Sequence, residues 1–247
     1  MKSKLKWLTG FLFLSAAMLG ICYILGNTDV FFRNTRAVSA QAEKGPFTVV
    51  IDAGHGGEDG GCSASDGTLE KDLNLQIAKN LYDVLKASGV SVRMIREEDK
   101  LLYDMYGDLE DYTGKKKTYD LKNRVRFAKE ANCEILVSIH MNKFTETKYN
   151  GLQVYYSGND SDSITAALRI QEYVRDYLQP DNDRQIKRAG SNIYVLHRSQ
   201  MPAVLVECGF LSNFDDLEKL KSCEYQKELS LCIAAGILDG LSDFLTK

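Results

Sequence analysis

Two histidines and a glutamate close three apolar runs in this chain. Val49-Val50-Ile51-Asp52-Ala53-Gly54-His55-Gly56-Gly57 ends on a histidine set among glycines. Ile135-Leu136-Val137-Ser138-Ile139-His140-Met141-Asn142 carries a second histidine, and Ala203-Val204-Leu205-Val206-Glu207-Cys208-Gly209 carries the glutamate. An unbroken apolar run reads as a buried strand, and glycines after His55 let the backbone turn tightly. Core strands that end in His, His and Glu suggest one site on the edge of one sheet. Two imidazoles and a carboxylate are a usual zinc set, with a fourth position open to water in a catalytic centre.

The chain has only three histidines, so the choice of donors is narrow. The third ligand is a carboxylate or His197. Glu70 is the better candidate, because it opens a segment with apolar residues at Leu69, Leu73, Ile77, Leu81, Val84 and Leu85. That spacing fits one helical face with Gly89 as its stop, and it puts Glu70 in the first turn, shortly after the loop leaving His55. Taken alone, an acid in a first turn also complements the helix dipole. His197 follows the strand-like Asn192-Ile193-Tyr194-Val195-Leu196 and reads as a ligand, a substrate contact or a rim histidine. Asp52 alternates away from Ile51 and Ala53, which gives it a structural role. Asn142 shares a strand face with His140, and either touches substrate or caps the strand end.

These residues need a framework. The pattern predicts strands at 47–52, 90–95, 135–140, 151–156, 192–197 and 203–207, and helices at 69–88, 120–131, 161–178, 214–221 and 224–244. Alternating elements with continuous apolar strands imply an α/β fold: a single three-layer domain with a central, mostly parallel (mixed) sheet flanked by helices. The run 151–156 follows its predecessor too closely for a helical crossover, so the two are antiparallel or not adjacent. Arg96 to Tyr119 reads as a long loop punctuated by Tyr103, Tyr106 and Tyr112, either a solvated insertion or a partner surface.

The first residues decide the compartment. Lys2, Lys4 and Lys6 precede Trp7 to Gly26, twenty residues without charge. At about 1.5 Å per residue they reach about 30 Å, the thickness of a bilayer core. Residues 1–26 therefore read as an N-terminal hydrophobic helix, a membrane anchor or signal segment, with the anchor favoured because the apolar stretch is long for a signal peptide. Residues 27–45 read as a linker and 46–247 as one catalytic domain, placed outside the cytoplasmic membrane. A net charge of −3 without a concentrated basic face argues against nucleic acid as a partner. Six cysteines form no CxxC pair; small buried residues are the default, a disulfide is compatible with export, and Cys62 stands near the His55 loop.

Four blocks carry a family resemblance: VVIDAGHGGEDGG (49–61), LEKDLNLQIAKNL (69–81), LVSIHMN (136–142) and VLVECGFLSN (204–213). In that order and spacing the chain resembles the zinc-dependent N-acetylmuramoyl-L-alanine amidases of bacterial cell walls, the Amidase_3 family. The resemblance implies one zinc ion per domain held by His55, Glu70 and His140, with Glu207 as the catalytic carboxylate and peptidoglycan as substrate. Arg124 matches an arginine that recurs in the family ahead of the SIH strand, which makes it a candidate substrate contact beside Asn142. The asparagine usual five residues later is Lys129 here.

Within the family the short chain, the single hydrophobic segment and the block HRSQMPAVLVECGFLSN resemble the germination-specific amidase of spore-forming bacteria. That likeness implies removal of peptide from muramic acid in spore cortex, a polysaccharide deacetylase acting on the bared sugar to give muramic-δ-lactam, and an activating partner protein. The alternatives are a vegetative cell-separation autolysin of the same chemistry and a non-catalytic wall-binding or activator protein.

Overall fold

The computed structural model describes residues 47–245, so the hydrophobic segment and linker expected at 1–45 lie outside the described residues. No described helix is long and apolar enough to cross a membrane.

Six strands form one mixed sheet in the order β2-β1-β3-β6-β4-β5. They are β1 (Thr48–Ala53), β2 (Ser91–Met94), β3 (Ile135–Asn142), β4 (Gln153–Tyr156), β5 (Lys187–Arg188) and β6 (Ala203–Phe210). β2, β1, β3 and β6 run parallel, β4 lies antiparallel to β6, and β5 runs parallel to β4. β4 is therefore not a neighbour of β3, because β6 inserts between them.

The helices are α1 (Glu70–Ala87), α2 (Lys116–Glu130), α3 (Asp162–Tyr177), α4 (Tyr194–Arg198), α5 (Phe214–Lys221) and α6 (Cys223–Leu245). One face of the sheet, with Val49, Ile51, Val137, Ile139, Val204 and Val206, packs against α1, α3 and α6 through Ile77, Leu81, Ile170, Val174, Ile233 and Ile237. The opposite face has a smaller core in which Val50, Leu136, Ala203 and Leu205 meet Ala128 of α2 and Leu196 of α4. This three-layer arrangement is the one that continuous apolar strands require, since both of their faces must leave water.

That second face changes character along the strands. Side chains alternate with period two, so Val50 is followed on its face by Asp52, Leu136 by Ser138, His140 and Asn142, and Leu205 by Glu207. The register sets Asp52 beside Ser138 and His140 beside Glu207. The N-terminal half of the face is core and its C-terminal half is polar.

Two expectations are corrected. The segment 192–197 is no strand: Tyr194–Arg198 is a short helix, and the sheet edge is the two-residue β5. A five-residue apolar run cannot separate helix from strand by period, and an exposed Lys-Arg edge carries no apolar signal. α2 begins at Lys116, four residues before the expected start, and so takes the end of the expected 96–119 loop into the helix. Its buried face is Asp120, Asn123, Arg124 and Ala128, which an apolar-periodicity argument does not detect. All five described cysteines, Cys62, Cys133, Cys208, Cys223 and Cys232, are free thiols.

Candidate metal centre

The chain leaves β1 at Ala53, and Gly54 N–H still bonds across to Ile139 O at 3.1 Å. His55 then takes φ +62°, a left-handed conformation uncommon outside glycine, which turns its side chain onto the strand ends. Glu70, the first residue of α1, is 3 % exposed and reaches the same point from the helix. His140 arrives from β3. Glu70 Oε1 lies 2.9 Å from His140 Nδ1 and 3.3 Å from His55 Nε2. The two imidazoles meet edge-on with centroids 5.0 Å apart. One donor atom from each of His55, Glu70 and His140 falls within 4.8 Å of the others.

Two glycines make room for this convergence. A Cβ on Gly54 would stand 2.2 Å from His140 Nε2 and 2.3 Å from its Cε1, closer than any side chain tolerates. A Cβ on Gly61, at φ +69°, would stand 2.5 Å from Glu70 Oε2 and 2.8 Å from His55 Cδ2.

Glu70 is held on both oxygens. Cys62 N–H donates to Oε2 at 2.8 Å, and Met141 N–H donates to Oε1 at 3.2 Å. Burial would push its carboxyl up, but the adjoining His140 and His55 outweigh it and keep Glu70 well below the usual carboxylate range. His55 Nδ1 lies 3.0 Å from Asp59 Oδ2, a charge contact that lacks hydrogen-bond geometry. Burial, with the Glu70 charge adding to it, raises the Cys62 thiol above its ordinary range.

Glu207 stands in register with His140, on the same sheet face. Its Oε2 is buried without a hydrogen-bond partner. Burial, with the Glu70 charge adding to it against the pull of His140 and His55, raises its carboxyl to about 7. A carboxyl near neutrality with an unengaged oxygen is suited to moving a proton.

Arg124, expected as a substrate contact, is corrected. It is 1 % exposed, and its five N–H groups are all used inside the protein. Nε and Nη2 donate to Asp120, Nη1 donates to Asp52 Oδ1 at 2.5 Å and Ala53 O at 2.9 Å, and Nη2 donates to His55 O at 2.7 Å. Asp52 also accepts from Ser138 Oγ at 2.7 Å. Arg124 therefore anchors the His55 turn from beneath.

The sequence reading missed a second anchor, Arg96. It is buried and donates to the carbonyls of Ala53, Gly54, Lys71 and Glu98 at 2.7–3.0 Å. Its signal was an arginine directly after the apolar residues Met94-Ile95. Asn142 is half-buried at the end of β3 and lines an open cleft beyond Glu207. His197 is exposed on α4 and is not part of the cluster.

The N-acetylmuramoyl-L-alanine amidase family pattern matches residues 49–239. The germination-specific N-acetylmuramoyl-L-alanine amidase of Bacillus subtilis is 31% identical over 238 residues, 96% of this chain and 95% of that protein. Among solved structures, the CwlD amidase from Clostridioides difficile, determined in complex with the GerS lipoprotein, is similar with TM-score 0.74 and 37% identity, covering 80% of this chain and 99% of that one. An N-acetylmuramoyl-L-alanine amidase of Nostoc punctiforme is similar with TM-score 0.65 and 31% identity, covering 82% and 99%.

Proposed function

This chain belongs to the N-acetylmuramoyl-L-alanine amidase family, Amidase_3, and on that premise we propose that it hydrolyses the amide between N-acetylmuramic acid and L-alanine in peptidoglycan with one zinc ion held by His55, Glu70 and His140. The observation that carries the reading is the approach of those three donors to within 4.8 Å, with Glu207 in register beside them. The donor set fits zinc: two imidazole nitrogens and a carboxylate oxygen that is ionised although buried. Zinc bound there supplies a Lewis acid for the scissile carbonyl and for water.

The chain's own residues do the rest. Glu207 accepts a proton from the attacking water and returns it to the leaving alanine nitrogen. The Asp59 carboxylate lies 3.0 Å from His55 Nδ1, which leaves Nε2 for the cation. Arg124 and Arg96 hold the carbonyls of the turn carrying His55, which keeps the donors preorganised.

The test is incubation of the full chain with purified muropeptides and zinc. Release of intact stem peptides with a new L-alanine amino terminus is the expected result; cleavage within the stem, or binding without release, overturns it.

We place the reaction in spore cortex, outside the cytoplasmic membrane, as the step before deacetylation and formation of muramic-δ-lactam. The likeness to the germination-specific amidase over 96% of the chain supports this. An activating partner protein belongs to the same reading, since the similar Clostridioides difficile amidase was solved with a lipoprotein. Residues 7–26 would tether the enzyme to the membrane. Deleting the gene should abolish cortex muramic-δ-lactam; normal lactam rejects the spore role.

A further inference from the structure

The polar face that carries His140 and Glu207 continues sideways beyond the metal centre. Glu207 is paired with Gln153 on β4, and Tyr155, two residues along the same face, is paired with Lys187 on β5. Gln153, Tyr155, Lys187 and Asn142 line a cleft of about 320 Å³ with an aromatic wall that includes Phe210. Strands are about 4.8 Å apart and residues about 3.3 Å apart along them. Gln153 therefore stands about 10 Å, and Lys187 about 16 Å, from His140 across the sheet.

The charges in this cleft are one-sided. Its two ionised side chains are Arg184 and Lys187, and no acidic residue lines it. Arg184 is held in place: Nε donates to Asn150 O at 2.6 Å, Nη1 reaches Gln153 Oε1 at 3.4 Å, and the guanidinium lies 4.5 Å from the centre of the Phe210 ring. Its Nη2 donates to nothing among the described residues, and Lys187 has no ion-pair or hydrogen-bond partner there. An oriented guanidinium and an unpaired ammonium in one cleft, with an aromatic wall and no acid in the lining, make an anion receptor.

We propose that Arg184 and Lys187 form a carboxylate-binding subsite for the stem peptide, engaging a free side carboxylate on the second or third residue after the scissile amide. This rests on the amidase reading above, which fixes where the amide lies. An extended peptide covers about 10 Å in three residues. A stem whose first amide sits over the His55–Glu70–His140 cluster, running across Glu207, thus brings those residues to Arg184. The subsite selects for acidic stems and against amidated ones, because a carboxamide offers the guanidinium a weaker, uncharged acceptor.

The experiment compares two muramoyl tripeptides as substrates for the zinc-loaded full chain. One has the side carboxylates of its second and third residues free; in the other both are carboxamides. The expected result is a kcat/KM ratio favouring the acid form by about 10-fold or more, expressed mainly in KM, as for a charge-assisted hydrogen bond. Lys187→Gln and Arg184→Gln should each lower that ratio severalfold. Lys187→Gln is the cleaner variant, because Lys187 makes no structural bond whose loss would disturb the fold. Equal kcat/KM values for the two substrates, or a ratio that Lys187→Gln and Arg184→Gln both leave unchanged, overturns the subsite. Failure of the unsubstituted enzyme to hydrolyse either substrate sinks the amidase reading instead, so the two failures are distinguishable.

Discussion

Glu207 and His140 are paired residues on neighbouring parallel strands, so their side chains leave the same face of the sheet. This relationship places the proposed proton carrier beside a proposed metal donor without any loop. Strand register is set by core packing, which makes the spacing of the two groups as rigid as the core beneath them.

Glu207→Gln should keep its zinc and lose turnover by about 10²–10⁴-fold, the usual worth of a positioned proton shuttle. Metal content by atomic emission and single-turnover hydrolysis of a muropeptide measure the two quantities separately. A near-normal rate would remove Glu207 from the mechanism.

The same carboxyl sets a pH dependence. Burial raises Glu207 to about 7 in the protein alone, and a bound cation beside it favours the ionised form and lowers that midpoint. A base works only when deprotonated, so kcat/KM should fall as pH drops through the midpoint. In Glu207→Gln this acid limb should vanish from the residual rate; its persistence would assign the limb to another group.

His140→Ala should purify with far less than one zinc per chain. Gly54→Ala tests the same centre without touching a donor. Its methyl would clash with the His140 ring, 2.2 Å from Nε2. Displaced by that methyl, the ring should bind zinc about 10–100-fold more weakly, the range seen when the groups that orient a ligand are lost. Competition with a chromophoric chelator reads this, and unchanged affinity would show that the ring has another place to go.

Arg124→Met should destabilise the fold by about 3–5 kcal/mol, because Asp52 and Asp120 would remain buried without their cation. The pH dependence has a definite sign. Burial pushes the Asp52 carboxyl up, but Arg124 and the Ser138 hydroxyl outweigh it and leave the folded pKa below the ordinary value. The contribution of Asp52 is therefore complete above its unfolded pKa of about 3.9 and is lost as pH falls through the folded one. Without Arg124, burial is opposed mainly by Ser138, so acid should cost the variant less than the parent. Thermal melts at pH 7 and pH 3 measure both; equal losses in the two proteins would contradict the assignment.

Much of this was legible in one dimension. The continuous apolar strands predicted a covered, mostly parallel sheet, since only side chains hidden on both faces need no alternation. The period of α1 put Glu70 in a first turn, and strand-end context singled out His55, His140 and Glu207. These are local signals, readable from the spacing of neighbours. The tertiary structure decided what depends on distant partners. Arg124 reads in one dimension as a substrate contact and Arg96 as the start of a loop; both are anchors, because their bonds go to carbonyls and carboxylates far away in sequence. The start of α2 was hidden because its buried face is polar and satisfied by those same bonds. The segment around His197 and the edge strand β5 were too short for period to choose between helix and strand, so packing chose. The alignment of Gln153, Tyr155 and Lys187 with Glu207 depends on β6 inserting between β3 and β4, a consequence of chain topology that no local pattern encodes.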